Sequence, residues 1–429
     1  MIAPIIHIWK SRELRNKTLF VLGMLAIFRV AATIPIPGID TTQLAAFFSG
    51  NQFFGLLNIF SGGALSNLSL MMLGLGPYIT STIILQLLTM IFPQLKEMYQ
   101  ESGEQGRQKF NQYGRMLTVP LAALQGYGLI TLFTRQGVLA PLGLFDLITT
   151  LAGVVAGAIF LMWLGEMISE KGIGNGISIL IFAGIIASVP SSIGQLILTG
   201  FIAQIPTYVV FVILAVVVVS GVIIVNEARR NIIVSYAKQV RGNKMYGGVS
   251  TFLPLSLNPA GVIPIIFALS MLLFPSMVGS FLVDSGGFLG GLAGLMTSFS
   301  QSTLAYSAAY FTLVVLFTYF YTAVTFDPKS IATNLQKQGG FIPGIRPGPP
   351  TAGYLTHILN RLLIVGAMFL GLIAILPSLV QGTSFLGGGI SQGGISFLIG
   401  GTAVLIVVSV VLETMRQFRA QLAMREYET

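Results

Sequence analysis

The sequence predicts an all-α, polytopic membrane protein with ten transmembrane helices in two halves of five. Three observations carry that expectation. Apolar residues fill 54% of the 429 positions and charged residues only 9%, against roughly a quarter charged in soluble domains, which is too little charge to cover a water-soluble surface of this size. Ten apolar runs approach or reach the roughly 20 residues that span about 30 Å of hydrocarbon. The basic residues fall almost wholly on one side of those runs, which is the orientation signal of a membrane protein.

The runs are Thr18–Ile36, Gly74–Phe92, Met116–Phe133, Leu147–Glu166, Asn175–Leu198, Thr207–Asn226, Gly261–Val283, Ala305–Phe326, Leu362–Leu379 and Ile395–Leu412. The first follows Lys10, Arg12, Arg15 and Lys17 and has no clean cleavage site, so it reads as a retained helix and not a signal peptide. The fifth contains Pro190, a point to kink or stop. With the N-terminus in the cytoplasm, inside segments hold 21 of the 23 Lys and Arg, Arg135 alone lies outside, and Arg29 lies in the first span. Both termini are then cytoplasmic. The chain divides into a cytoplasmic segment 1–17, a first half 18–205, a second half 206–413 and a cytoplasmic tail 414–429. An odd number of spans per half inverts the second half relative to the first, as in inverted-repeat membrane proteins.

Several function classes are excluded. There is no cysteine and there are two histidines, His7 and His357, which removes disulfides, thiolate chemistry and a His-rich metal cage. Arg29 is the one clear ionisable residue within a span, and it reads as structural; Glu166 and Glu413 sit at cytoplasmic ends, so no ion-coupling relay stands out. Gly-x-Gly-x-Gly at Gly172–Gly176 lacks the strand before it and the Lys-Ser/Thr after it that a phosphate cradle needs, and it suits a tight turn and close helix packing better. No catalytic residue, metal site or cofactor is expected, and nothing in the chain supplies energy.

Two features are left to carry function. Asn58–Leu73 is moderately apolar but includes Ser61, Gly62, Gly63, Ser66, Asn67 and Ser69, and Gly74-Leu-Gly-Pro77 then interrupts the run before Tyr78–Phe92. A broken helix at membrane depth is tolerated only inside protein or against a cavity. The second feature is a pair of long inside loops, 227–260 and 327–360, basic and bearing Tyr236, Tyr246, Phe252, Phe341 and Tyr354. Such loops suit acidic protein surfaces or phosphate backbones, and the positive inside face suits anionic lipids. A secondary transporter would also show five-plus-five repeats and a broken helix, but it needs more mid-membrane polarity than this chain offers.

Together these segments resemble the SecY family, the channel-forming subunits of the Sec protein translocase. The resemblance lies in Ile34-Pro-Ile-Pro-Gly-Ile-Asp40, Leu73-Gly-Leu-Gly-Pro-Tyr-Ile-Thr-Ser81, Gln86-Leu-Leu-Thr89, Met162-Trp-Leu-Gly-Glu166, Lys171-Gly-Ile-Gly-Asn-Gly-Ile-Ser178, Asn258-Pro-Ala-Gly-Val-Ile-Pro264, Phe320-Tyr-Thr-Ala-Val-Thr-Phe-Asp-Pro328, Phe341-Ile-Pro-Gly-Ile-Arg-Pro-Gly348 and Gly400-Gly-Thr402. It implies an hourglass channel for unfolded polypeptide in the cell's inner membrane. Its apolar ring is expected at Leu75, Ile79, Ile177, Ile181, Ile266 and Ile406, where the family often has Ile in place of Leu75. A plug helix on the outer side is expected at about Ser61–Leu73, with Ser61, Gly62, Gly63, Asn67, Leu68 and Met71. A lateral gate between the second and third spans and the seventh and eighth is expected to use Thr80, Ile83, Gln86, Ser270 and Phe274, with Thr80 facing Phe274. Partner docking is expected at Arg241, Lys244 and Arg346. The implied partners are the small membrane subunits SecE and SecG, the motor ATPase SecA, the ribosome and signal-sequence-bearing polypeptides. The residues agree in one respect: Leu75/Ile79 and Ile177/Ile181 are i, i+4 pairs that share a helix face, and Ile266, Ser270 and Phe274 continue that spacing.

Overall fold

A computed structural model of the chain describes residues 12–36, 58, 61, 63–65, 67–100, 102–135, 137, 139–198, 205–236, 239–241, 244–246, 250–282, 291, 294, 302–382 and 401–426. Helices overlap all ten expected runs. They are α1 Arg12–Ala31, α2 Gly76–Ile91, α4 Gly103–Arg135, α5 Leu144–Lys171, α6 Gly176–Leu198, α7 Ile205–Glu227, α8 Ile263–Leu282, α9 Thr303–Thr325, α11 Pro349–Gly382 and α12 Gly401–Glu426, and two short helices, α3 Pro93–Gln100 and α10 Pro328–Lys337, lie between them. Among the described residues, Gly103–Arg135, Leu144–Lys171, Leu304–Lys337 and Pro349–Leu379 are long and apolar enough to cross a membrane. Gly76–Ile91 with Pro93–Tyr99 qualifies as a fifth, broken span bent by 117°. The break has a local cause: Phe92 precedes Pro93 and is extended, with φ −106° and ψ 109°, as the proline ring demands of its neighbour.

In the first half, α2 lies against α4, α4 against α5, α5 against α6 and α1 against α5; in the second, α8 against α9, α9 against α11, α11 against α12 and α7 against α12. The halves meet along two seams, α8 on α2 and α4, and α12 on α6. The turn between α5 and α6 is the glycine run read above. Gly174 has φ +96°, and a Cβ on Gly176 would overlap the Gly165 carbonyl oxygen, so the two helices meet backbone to backbone.

The two long basic loops are less loop-like than their polarity suggests. Strand β1 Arg229–Tyr236 pairs antiparallel with β4 Ser250–Ser256, opposing Ile232 to Leu253 and Ile233 to Phe252. β2 Gln239–Arg241 and β3 Lys244–Tyr246 form a second ladder at the tip. β5 Gly340–Phe341, from the other loop, joins the free edge of β1. Ile232, Val234 and Leu255 point inward onto Ile342, Leu355 and Ile358, so the two loops form one unit with its own apolar core. Polar stretches that carried no span signal are helical there: α10, and α11 from Pro349, well before the expected Leu362.

Asp327 starts α10. Its carboxylate accepts from Lys329 N at 2.9 Å and from Ser330 Oγ at 3.1 Å, the pattern of an N-cap. Burial pushes this carboxyl up, but those donors and the Lys96 charge outweigh it and hold it below the ordinary carboxylate range. The stabilisation is therefore present above the unfolded pKa and is lost as pH falls through the lowered folded one. Asp327→Ala is expected to cost about 1 kcal/mol of local stability, read as faster amide exchange across 328–337, and to flatten the acid-side pH dependence of that exchange. Exchange equal to the parent at both neutral and acidic pH would contradict it.

Candidate functional site

The site grows from the chain between α1 and α2. Gly, Ser and Asn there disfavour a continuous helix, and in place of the expected plug helix the described residues 63–75 run as hydrogen-bonded turns. Ser61 Oγ accepts from Leu65 N at 3.1 Å, Leu68 N donates to Leu65 O at 3.1 Å, and Ser69 N donates to Ala64 O at 2.9 Å. The last two bonds are those of a Schellman closure, whose C′ residue is normally Gly. Here it is Leu68, at φ +38°, a left-handed backbone that costs an L-residue about 1–2 kcal/mol. The segment then pairs with the exit of α1: Ile36 N donates to Leu68 O at 3.0 Å and Leu70 N to Ile34 O at 3.1 Å.

Side chains of this segment face two clusters. Leu65, Leu68 and Met72 join Ile36, Leu129, Ile130, Phe133, Leu139 and Val154. Ala64, Met71 and Leu75 join the main core of the helix bundle. Ser61 is buried, Gly63 half-buried and Asn67 exposed, and Gly62 lies outside the described residues.

All six residues of the expected ring come together in that main core. Leu75, Ile181 and Ile406 are buried in it, and Ile79, Ile177 and Ile266 are partly buried against it. They come from α2 or its N-cap, α6, α8 and α12. A cavity of about 70 Å³ lies beside them, lined by Leu75, Ile79, Ile181 and Ile266, by Ser61, Leu65 and Met72 of the turn segment, and by Gln125 and Ser270. Leu75, Ile79 and Ile181, the turn segment and Ile266 and Ser270 of α8 therefore border one space.

Of the residues expected at the gate, Thr80, Ile83 and Gln86 are buried on α2 and Ser270 is buried on α8; the Phe274 side chain lies outside the described residues. Thr80 Oγ1 donates to Gly76 O at 2.9 Å and accepts from Gln125 Nε2 at 3.4 Å. Ser81 Oγ and Thr118 Oγ1 are 3.0 Å apart, so a polar stitch binds α2 to α4. Gln86 Oε1 has no hydrogen-bond partner among the described residues. In the unit formed by loops 227–260 and 327–360, Arg241 opposes Lys244 across β2 and β3, with both side chains outside the described set. Arg346 is exposed in the turn after β5, and its carbonyl accepts from Thr351 Oγ1 at 2.9 Å.

Three groups were missed in the sequence. Gln125 is a lone amide in an apolar run, a signal that was available. Gly153 and Gly157 on α5 form a Gly-x-x-x-Gly pair that touches the turn segment. Asn226, Asn258 and Arg416 have no such signature because they meet only in three dimensions: Asn258 Nδ2 donates to Asn226 Oδ1 at 3.1 Å, Asn226 Nδ2 to Ser409 Oγ at 2.6 Å, and Arg416 Nη2 to Glu227 Oε1 at 2.7 Å. The Arg416 hydrogen bond does most to hold the Glu227 carboxyl below the ordinary carboxylate range. This knot ties the base of the β1–β4 hairpin to α12, the helix of Ile406.

A bundle of long apolar helices around one apolar core, with a turn segment packed against it, is the fold of a polytopic membrane protein. The SecY family model matches residues 69–415, and the chain belongs to the SecY family. It is 42% identical over 443 aligned residues to the protein translocase subunit SecY of Streptomyces galbus, covering 100% of this chain and 99% of that one. A solved SecY structure, described as one whose plug domain stabilises the closed state of the translocation channel and maintains a membrane seal, aligns with a TM-score of 0.64 at 22% identity over 94% of this chain and 91% of that one. Sec61 in the canine ribosome–channel complex from the endoplasmic reticulum aligns with a TM-score of 0.63 at 21% identity, with the same coverage. At those identities the two structures are alike in fold.

Proposed function

We propose that the chain is the protein-conducting subunit of a Sec translocase, a passive channel that passes unfolded polypeptide outward and releases apolar segments sideways into lipid. The observation that carries this reading is the convergence of Leu75, Ile79, Ile177, Ile181, Ile266 and Ile406 into one apolar cluster from four separate expected spans. Branched aliphatics offer an ion no ligand, and a narrow apolar neck tends to dewet; even after relaxation, a charge taken out of water loses several kcal/mol. An extended polypeptide can still press through, because the neck makes only non-directional contacts. Residues 61–73 act as the plug, and the seam of α8 with α2 and α4 is the lateral exit, next to Thr80, Ile83, Gln86, Ser270 and Phe274. The protein lies in the inner membrane with ten spans in halves 18–205 and 206–413, and with both termini in the cytoplasm, supported by the 21-to-1 charge asymmetry.

The channel is not an enzyme, and the driving force comes from a partner. The SecA motor and the ribosome dock on the cytoplasmic unit through Arg241, Lys244 and Arg346, with SecE and SecG alongside in the membrane and anionic lipids against the basic face. Two measurements test this. Purified complex in proteoliposomes, supplied with the motor and ATP, should move a signal-bearing polypeptide into the lumen; failure of the intact complex to do so would overturn the reading. Arg346→Glu should weaken motor or ribosome binding roughly tenfold or more, as reversal of an exposed docking charge does to association, while membrane insertion of the channel is unchanged. Parental binding and transport in that variant at physiological salt would remove Arg346 from the docking surface.

A further inference from the structure

We infer that Gly153 and Gly157 of α5 are the seat of the plug, and that the bareness of these two positions sets how tightly the resting channel is sealed and how apolar a signal must be to open it. The inference rests on the channel reading above. The two glycines are four residues apart and so lie on one helix face. A Cβ on Gly157 would overlap the carbonyl oxygen of Leu70, with the Leu70 carbonyl carbon at 2.8 Å and Met71 N at 3.3 Å. A Cβ on Gly153 would lie 2.8 Å from Leu70 Cδ2. The plug backbone thus rests directly on the α5 surface, as backbones do where glycine permits close approach.

Leu70 is gripped from both sides. Its N–H is bonded to Ile34 O at the exit of α1, and its carbonyl meets Gly157. The neighbouring residues divide between the two clusters, Leu68 and Met72 to one and Met71 to the other, so a shift of the backbone at residue 70 moves both sets of contacts. The plug supplies little rigidity of its own: it is a run of turns with Leu68 held at φ +38°, a conformation that packing imposes against the residue's preference. What it leans on therefore decides where it sits. At Gly157 the obstacle is backbone and cannot rotate away. At Gly153 it is the end of a flexible side chain, which can.

This ordering is the test. In the complete channel complex in planar bilayers, with the leak normalised to assembled channel, Gly157→Val is expected to raise resting ion conductance about tenfold or more. Gly157→Ala should fall between it and the parent, and Gly153→Ala should have the smallest effect. Export of a substrate with a weakened signal should rise in the same order. If Gly157→Val is as tight and as signal-selective per channel as the parent, the seat is refuted. The glycines would then serve helix packing alone. Should Gly157→Val fail to assemble, Leu70→Cys with Gly153→Cys gives an independent answer, because the chain has no cysteine of its own. The pair is expected to oxidise in the resting channel and to block export until reduced; no disulfide, or export that continues through it, would overturn the inference. Ile406→Asn serves as the reference variant. A leak there with a tight Gly157→Val removes the seat and leaves the channel reading standing, whereas loss of export by the parent complex removes the reading itself.

Discussion

Replacing Ile266 and Ile406 together by Asn is expected to make the resting channel leak ions at least about tenfold more than the parent, and to let it accept substrates with weakened signals. Ile406 is completely buried in the main apolar core, and Ile266 is half-buried against it. An amide placed at such a position leaves donors and an acceptor unsatisfied in the sealed state, at a cost of about 1–3 kcal/mol per buried group. Opening or hydrating the neck removes that cost. About 1.4 kcal/mol of such bias already shifts an equilibrium tenfold, so two amides are ample. Ile406→Leu keeps volume and apolarity and should stay tight, since volume-conserving swaps are tolerated best. Conductance of the complex in planar bilayers, measured beside export of a signal-weakened substrate, decides the matter. A double Asn variant as tight and as selective as the parent would place the constriction elsewhere.

Tying α2 to α8 is expected to abolish transport altogether. Ile83 and Ser270 are buried on facing helices, and with no native cysteine the pair Ile83→Cys and Ser270→Cys can be bridged by a short, reducible bis-maleimide without background. Export and sideways release of apolar segments should both stop on bridging and return on reduction, with each single variant behaving as the parent. Thr80 sets which groups separate when the seam opens. Its hydroxyl is hydrogen-bonded within α2 and to Gln125 of α4, so α2 and α4 should move as one body away from α8. Bridged channels that still export and still release apolar segments would show that this seam is not the exit.

The glycine-bearing turn segment shows where reading by pattern stops. Gly74-Leu-Gly-Pro77 announces a break in the chain, and α2 indeed begins at Gly76. The expected plug helix instead runs as turns, because a composition rich in Gly and Ser cannot say which carbonyls the freed amides will find. The partners lie on another segment: Ile34 O accepts from Leu70 N, and Ile36 N donates to Leu68 O. The same holds for the unit formed by the two long basic loops. The apolar run Ile232-Ile233-Val234 is too short to stand out, and the pairing of β1 with β5 joins residues more than a hundred positions apart. Helices α3 and α10 and the early start of α11 escaped notice because a polar helix carries no span signal.

Class was legible because the bilayer is a uniform solvent: apolar length is a sum over residues, and a sum needs no partner. The spacing of Leu75 with Ile79 and of Ile177 with Ile181 is equally local, since it follows from the helical repeat. Which of many such pairs meet in one apolar core, that Thr80 turns to Gln125, that Asn226, Asn258 and Arg416 knot the hairpin to the helix of Ile406, and that Gly157 leaves room for the Leu70 carbonyl were decided only by the tertiary structure. Each is a contact between residues far apart in the chain, and its energy depends on distances that no local pattern encodes.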